Sequence, residues 1–287
     1  MFAYARPESL LETFAMLGAE PAARLLAGGT DLLVGLRKGT VVTPLVVDLK
    51  RVAELRAGIS ERNGTLRIGA GTVLTELIED RRVQAAFPAL VAAARVVGSI
   101  QIRNRATLAG NICNASPAAD TLPPLLVFGA VVELATPGGS SRWMPLAEFI
   151  IGPGRTALGP GELVTSVALP LPAEPVGSAF QRMTRRRGVD LATVNLACSV
   201  SADGVTRFAF GAVGPRAFLL DDDTGTLAGG AADASEEDAI IRRMTAEASP
   251  ISNVRASREY REAMLLVLSR RALRAAREGL AKAGHGG

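Results

Sequence analysis

The sequence predicts an α+β protein in two parts, and three observations carry that prediction. The chain has 287 residues, 48% of them hydrophobic, which is enough for two sizeable cores. Helical and strand patterns are intermixed over roughly the first 170 residues, whereas the remainder reads as strands followed by one long helix. Between them lies "LPAEPVG" at 171–177, a Pro- and Gly-bearing break that makes the best boundary in the chain.

"LLETFAMLG" has the spacing of a short amphipathic helix, and "ARLLAG" that of a strand running into Gly28-Gly29. Thr30 or Asp31 then offers an N-cap for a helix over "DLLVGLRKG", which Gly39 closes. "LVVDL" follows as a buried strand. Asn63-Gly64 supplies the two positive-φ residues of a tight turn, so 56–74 reads as a β-hairpin. Helices are expected at 73–80 and 87–97, the second ending near Gly98.

Residues 103–124 show little apolar periodicity and contain two adjacent prolines, so they are expected to form a long ordered loop before the strand "VFGAVVEL". A Gly/Pro-rich loop at 152–161 precedes the strand "ELVTSVALPLP". Past the boundary, "SAFQRMTRR" and "LATVNLACSVSADGVTRFAFGAVG" read as strands turning at Asp203-Gly204. The acidic segment 221–238 is expected to be exposed. The last helix, 257–283, carries Tyr260, Met264, Leu268, Ala272, Ala276 and Leu280 on one stripe and arginines on the other face; it should cover the second sheet.

Composition removes several chemistries. Thirty-two Lys and Arg against 28 Asp and Glu leave +4 at neutral pH, and only 4% of residues are aromatic, too few for a base-stacking surface. No nucleic-acid partner is expected. The N-terminus carries Glu8 and Glu12 where a secretory leader would be apolar. The apolar stretch 122–135 is broken by Pro, Gly and Glu133 well short of the ~18 residues of a membrane span, so a soluble, cytoplasmic protein without membrane insertion is expected. The single histidine, His285, lies in the tail, which disfavours a histidine base and most zinc sites. Two cysteines, Cys113 and Cys198, fall short of the four thiolates an iron–sulfur cluster usually takes and read as core residues. A redox cofactor here would have to be held by backbone and small polar groups.

Two loops offer such groups. In "LLAGGTD", Leu25, Leu26, Ala27, Gly28, Gly29, Thr30 and Asp31 lead from a strand into a helix N-terminus, where free amides and the helix dipole favour an anion. Neither the G-x-G-x-x-G nor the Gly-Lys-Ser/Thr pattern is present. "TLAGN", which is Thr107, Leu108, Ala109, Gly110 and Asn111, repeats the design, and Asp120 follows. Two phosphate-scale cradles suit a dinucleotide, with Asp120 as a ribose or adenine partner or, equally, as a local cap of the turn at 121–123. Arg103 and Arg105 flank the second loop and are read as surface or partner contacts ahead of phosphate ligands; the cluster Arg185 to Arg187 reads as a solvated face or an interface.

"RLLAGGTDLLVGLRKG", "IRNRATLAGNICNASPAAD" and "GPGRTALGPGELV", in this order and spacing, resemble the FAD-binding medium subunit of the molybdenum hydroxylases, the family of xanthine dehydrogenase, carbon monoxide dehydrogenase and aldehyde oxidoreductase flavoproteins. "GSAFQRMTRRRGVDLATVNLA" and "ISNVRASREYREAMLLVLSRRAL" extend the resemblance over nearly the whole chain. It implies a p-cresol methylhydroxylase-type FAD-binding domain over 1–172, built of α/β subdomains at about 1–56 and 57–172, and an α+β C-terminal domain with an antiparallel sheet over 173–287. It implies FAD in this chain, with the pyrophosphate at Leu25 to Asp31, phosphate and ribityl contacts at Thr107 to Asn111, a contact from Asp120, the backbone of Val164 near the isoalloxazine, and Gln181 where many relatives carry a lysine close to the flavin. The molybdenum cofactor and two [2Fe-2S] clusters would belong to a large and a small partner subunit, in a dimer of heterotrimers, with electrons leaving to NAD or another acceptor.

Two departures stand out. Ala109 replaces a glycine, which should cost backbone freedom, and Gln181 lacks the lysine's charge, which bears on the flavin's potential and on NAD reduction. The other readings are a stand-alone flavin oxidoreductase, or a scaffold subunit that has lost FAD.

Overall fold

The computed structural model describes residues 1–230 and 233–284; His285 lies outside them. The chain opens with β1 (Ala3–Ala5), α1 (Leu10–Ala19), β2 (Arg24–Leu26), α2 (Leu32–Lys38) and β3 (Leu45–Asp48). The strands form a parallel sheet in the order β1-β3-β2. Parallel neighbours need crossover connections, and the two helices provide them. Ser9 caps α1 by accepting from the Glu12 N–H. Gly39, at φ 70°, ends α2 as expected, whereas Asp31 holds the N-cap position without a side-chain capping bond.

β4 (Ile59–Arg62) and β5 (Thr65–Gly69) form the expected hairpin, with Asn63 at φ 50° and Gly64 at φ 68°. Six helices follow: α3 (Leu74–Glu79), α4 (Arg81–Ala86), α5 (Pro88–Arg95), α6 (Ile100–Arg103), α7 (Leu108–Asn114) and α8 (Leu122–Val127). Next come β6 (Val131–Ala135), β7 (Ser141–Pro145), α9 (Leu146–Phe149), the short hairpin of β8 (Ile150–Gly152) and β9 (Arg155–Thr156), and β10 (Leu163–Pro170). The second sheet is antiparallel, ordered β4-β5-β10-β6-β7. Its inner residues Leu66, Ile68, Val132, Leu134, Val167 and Leu169 share one core with α3 to α5 and α7 to α9.

The stretch 103–124 is thus not a loop. Four of its buried residues are alanines, Ala106, Ala109, Ala115 and Ala119, and hydrophobic periodicity understates them. The adjacent prolines Pro123 and Pro124 sit in the first turn of α8, where a missing N–H costs nothing. Because α8 consumes Val127 and Gly129 turns the chain at φ 63°, the strand expected in "VFGAVVEL" starts only at Val131. α4 also escaped the pattern; it is short and starts at Asp80, whose side chain accepts from the N–H groups of Arg82 and Val83.

The last part is a meander of β11 (Val176–Met183), β12 (Val194–Ser201), β13 (Thr206–Gly211) and β14 (Phe218–Asp222), then α10 (Thr226–Gly229), α11 (Ala234–Thr245) and α12 (Arg258–Gly284). Helices cover this third sheet on both sides, which is why β12 is buried along almost its whole length. On one face Ala179, Leu196, Cys198, Phe208 and Phe210 meet α12. On the other, Val176, Phe180, Ala197, Ala209 and Leu219 join the core of the second sheet. Contrary to the expected exposure of 221–238, Asp222 and Leu227 are buried, and α11 begins within that segment behind an Asp233 cap.

The buried stripe of α12 is Arg261, Leu265, Leu268, Ser269, Ala272, Leu273 and Ala276. Leu268, Ala272 and Ala276 were expected there, but Tyr260 is exposed and Arg261 is not on the outer face. The Arg261 guanidinium donates through its two terminal nitrogens to the carbonyls of Thr193 and Ala212 and to Asn253 Oδ1, while its buried Nε has no partner among the described residues. α12 lies tightly on β11: a Cβ on Gly177 would stand 1.9 Å from the Ala276 carbonyl oxygen.

Candidate functional site

Leu25 and Leu26 end β2 opposite Val47 and Asp48, and Leu26 is buried. Ala27 and Gly28 bend the chain, Gly29 adopts φ 78°, and Thr30 and Asp31 lead into α2. Among the described residues, nothing accepts a hydrogen bond from the backbone N–H groups of Gly28, Gly29, Thr30 and Asp31. Four successive uncommitted amides at the end of a parallel strand form a concave donor set of the kind that holds phosphate oxygens.

Gly28 also explains how the two loops are joined. A Cβ on it would fall 2.0 Å from the carbonyl oxygen of Arg105 and 3.0 Å from the Ala106 Cα. The first loop therefore rests directly on the backbone leading into the second. Glycine at 28 is demanded by this loop-to-loop contact, a reason invisible in the motif itself.

The second loop is built differently from the first. Thr107 caps α7, its Oγ1 accepting from the Gly110 N–H at 3.0 Å. The Leu108 N–H donates to the Thr72 carbonyl and that of Asn111 to the Thr107 carbonyl. Most of this loop's amides are thus already bonded, and the open donor set belongs to the first loop. Gly110 lets the cap close, since a Cβ there would lie 2.8 Å from Thr107 Oγ1. Ala109 is helical and buried, with its methyl in the core, so no glycine freedom is needed at this position.

Asn111 Oδ1 accepts from Thr121 Oγ1 at 2.7 Å, which ties α7 to the residue following Asp120. Asp120 does not cap the turn at 121–123. Its Oδ2 accepts from Arg182 Nη1 at 2.6 Å and its Oδ1 from Asn195 Nδ2 at 2.9 Å, both on the third sheet. Burial pushes the Asp120 carboxyl above the ordinary carboxylate range, and the Asn195 and Arg182 contacts pull it part of the way back.

Val164 lies on β10 opposite Leu134, beside a bulge between Val164 and Ser166, and its side chain shares the core with Leu108 and Ala109. Gln181 is not brought to this group. Strand alternation puts it with Ala179 and Met183 on the α12 face of β11, whereas Arg182 turns toward Asp120. The expected loss of a positive charge at 181 is therefore offset by a guanidinium one residue later. The period-2 pattern of "SAFQRM" contained this signal. Asn195 and Thr121 had no local signal, because their partners are distant in sequence.

Arg103 donates to the Val97 carbonyl and Arg105 is exposed. Arg185 pairs with Asp190, and Arg186 donates to the Val189 carbonyl, closing an exposed loop on itself. Both cysteines are free thiols. Burial pushes the Cys113 thiol up to about 12 and raises Cys198 as well. At pH 8 only about one Cys113 in ten thousand is then thiolate. Iodoacetamide should leave both thiols intact in the folded chain and modify both after denaturation; rapid alkylation of native Cys113 would contradict this placement. Among the described residues no group of three or more His, Cys, Asp or Glu side chains could hold a metal, and no helix is long and apolar enough to cross a membrane.

A family model described as the FAD binding domain in molybdopterin dehydrogenase matches residues 1–172, and one for the CO dehydrogenase flavoprotein C-terminal domain matches 178–276. Fold and loops thus define an FAD-binding oxidoreductase subunit. The chain belongs to the flavoprotein family of the molybdopterin dehydrogenases. It is 34% identical over 275 residues to the xanthine dehydrogenase FAD-binding subunit of Escherichia coli, covering 94% of each chain. It is 32% identical to the carbon monoxide dehydrogenase medium chain of Hydrogenophaga pseudoflava, covering 96% of each. A solved carbon monoxide dehydrogenase from that organism superposes with a TM-score of 0.88 at 31% identity, over 96% of each chain. Quinoline 2-oxidoreductase from Pseudomonas putida superposes with a TM-score of 0.89 at 31% identity, over 98% of each chain.

Proposed function

We propose that this chain binds FAD across the two glycine loops and serves as the electron-transfer subunit of a molybdenum hydroxylase in the cytoplasm. In this reading residues 1–172 are the FAD-binding domain, with subdomains at about 1–56 and 57–172, and 173–287 form the C-terminal domain. A large subunit carries the molybdenum cofactor and a small subunit two [2Fe-2S] clusters, assembled as a dimer of heterotrimers. Electrons enter from the clusters and leave to NAD or another acceptor.

The observation that carries the proposal is the run of uncommitted amides at Gly28, Gly29, Thr30 and Asp31. A pyrophosphate bears the charge such a donor set and the adjacent N-terminus of α2 favour. Leu25, Leu26 and Ala27 aim the run by anchoring it to β2. The Arg105–Ala106 backbone against which Gly28 sits leads into Thr107, Leu108, Ala109, Gly110 and Asn111; these are assigned the phosphate and ribityl contacts, Asp120 a further contact with the cofactor, and the backbone of Val164 the flavin end. Bound flavin supplies the exchange between one-electron centres and a two-electron acceptor. The chain's own task is to bind, orient and shield, and neither a histidine nor a thiolate is required for it.

The test is to purify the chain with its large and small subunits and reduce the complex anaerobically with dithionite. The account expects near-stoichiometric flavin whose visible band bleaches together with the iron–sulfur bands and recovers on adding NAD or an artificial acceptor. A flavin that stays oxidised while the clusters are reduced would overturn the electron-transfer role. A colourless chain would favour the scaffold reading, and a flavoprotein that never joins the other two subunits would favour the stand-alone one.

A further inference from the structure

Two side chains of the third sheet, Arg182 and Asn195, donate to Asp120 in the segment that follows the second glycine loop. The Arg182 side chain is 14% exposed and that of Asp120 8%, and their 2.6 Å contact ties β11 to the segment that follows α7. Arg182 Nη1 also donates to the Val96 carbonyl at the end of α5, so the same nitrogen holds two elements at once. Next to Asp120, Thr121 is fully buried and donates to Asn111 Oδ1. A continuous polar chain therefore runs from β11 through Asp120 and Thr121 to Asn111 in the second loop. From the opposite side, Gly28 sits against Arg105.

Asn195 shows what this arrangement is built around. Its Nδ2 donates to Asp120, yet its Oδ1 is buried without a partner, and a Cβ on Gly211 would lie 2.2 Å from that oxygen. An amide that forgoes half of its hydrogen bonding to face a carboxylate is placed to serve that carboxylate. Asp120 thus has two dedicated donors from the third sheet, one charged and one neutral.

We propose that Arg182 is a positioning residue for the cofactor: by holding Asp120, it fixes the Asp120–Thr121–Asn111 chain and with it the second loop, so the C-terminal sheet sets the geometry of FAD binding. The inference rests on the FAD reading above. Gln181 cannot take this part, because alternation turns it to the α12 face. Lysine can, because only one nitrogen of Arg182 makes the contacts.

FAD affinity and the visible circular dichroism of the bound flavin are to be measured for the full chain, for Arg182→Gln, Arg182→Lys and Asp120→Asn, and for the double variant. Arg182→Gln should weaken FAD by about tenfold or more and alter the flavin dichroism, and Arg182→Lys should restore both, as expected for coupled buried groups. In the Asp120→Asn background, Arg182→Gln should change affinity by less than about threefold, because its route is already cut. Should Arg182→Gln not fold, the Lys variant and the neutral double variant still decide the matter. Wild-type affinity and dichroism in Arg182→Gln, or effects of the two substitutions that simply multiply, would overturn the inference while leaving FAD binding intact. A wild-type chain that takes up no FAD would overturn the FAD reading itself, and this inference with it.

Discussion

Gly28→Val should deprive the purified chain of flavin. The new Cβ would meet the Arg105 carbonyl oxygen at 2.0 Å, its carbon at 2.7 Å and the Ala106 Cα at 3.0 Å. All three are backbone atoms and cannot rotate away, so the loops must part by roughly an ångström to reach ordinary contact. That displacement takes the free amides of Gly28 to Asp31 off their aim. Loss of two charge-assisted hydrogen bonds at about 1.5 kcal/mol each corresponds to roughly a hundredfold weaker binding. The flavin-to-protein absorbance ratio measures it, and the far-ultraviolet dichroism should stay close to wild type, since the third sheet lies elsewhere. Full flavin occupancy in Gly28→Val would remove the first loop from the site.

Gly177→Val should give the largest loss of stability. Here a Cβ would lie 1.9 Å from the Ala276 carbonyl oxygen and 2.2 Å from the Leu280 nitrogen, again backbone atoms. The second half of α12 must then lift from β11, exposing Ala276 and the apolar surface beneath it. Overpacking of this kind costs about 3 kcal/mol, which lowers the melting temperature of a chain this size by roughly 6–12 °C. A melting temperature within a degree or two of wild type would mean that α12 is not seated as described.

What could be read from sequence was local. Asn63-Gly64 dictates its hairpin because both residues carry the required positive φ, and Gly39 ends α2 for the same reason. The long helix was equally legible. α7 and α8 were not, because each is only one or two turns long and the adjacent prolines of α8 fall in its first turn, so too few residues carry the periodicity that separates helix from loop. The stripe of α12 shifted because Arg261 finds carbonyl acceptors at Thr193, just before β12, and Ala212, just after β13, that no single-helix pattern contains.

The candidate site divides along the same line. The two glycine loops and Asp120 stood out as motifs, and the family resemblance gave them a common ligand. How they connect was hidden, because each link joins residues remote in sequence: Gly28 to Arg105, Asn111 to Thr121, and Asp120 to Arg182 and Asn195. The same distance hid the part of Arg182, the neighbour of Gln181, whose charge meets Asp120. The "TLAGN" loop resembles "AGGTD" in sequence but differs in its hydrogen bonding, since most of its amides are bonded to Thr107 and Thr72.

The most direct measurement is a structure of the chain determined with FAD bound. The account predicts pyrophosphate oxygens within about 2.7–3.2 Å of the amide nitrogens of the Gly28 to Asp31 run, with Asn111 and Asp120 flanking the same cofactor. A pyrophosphate seated away from those amides would contradict it.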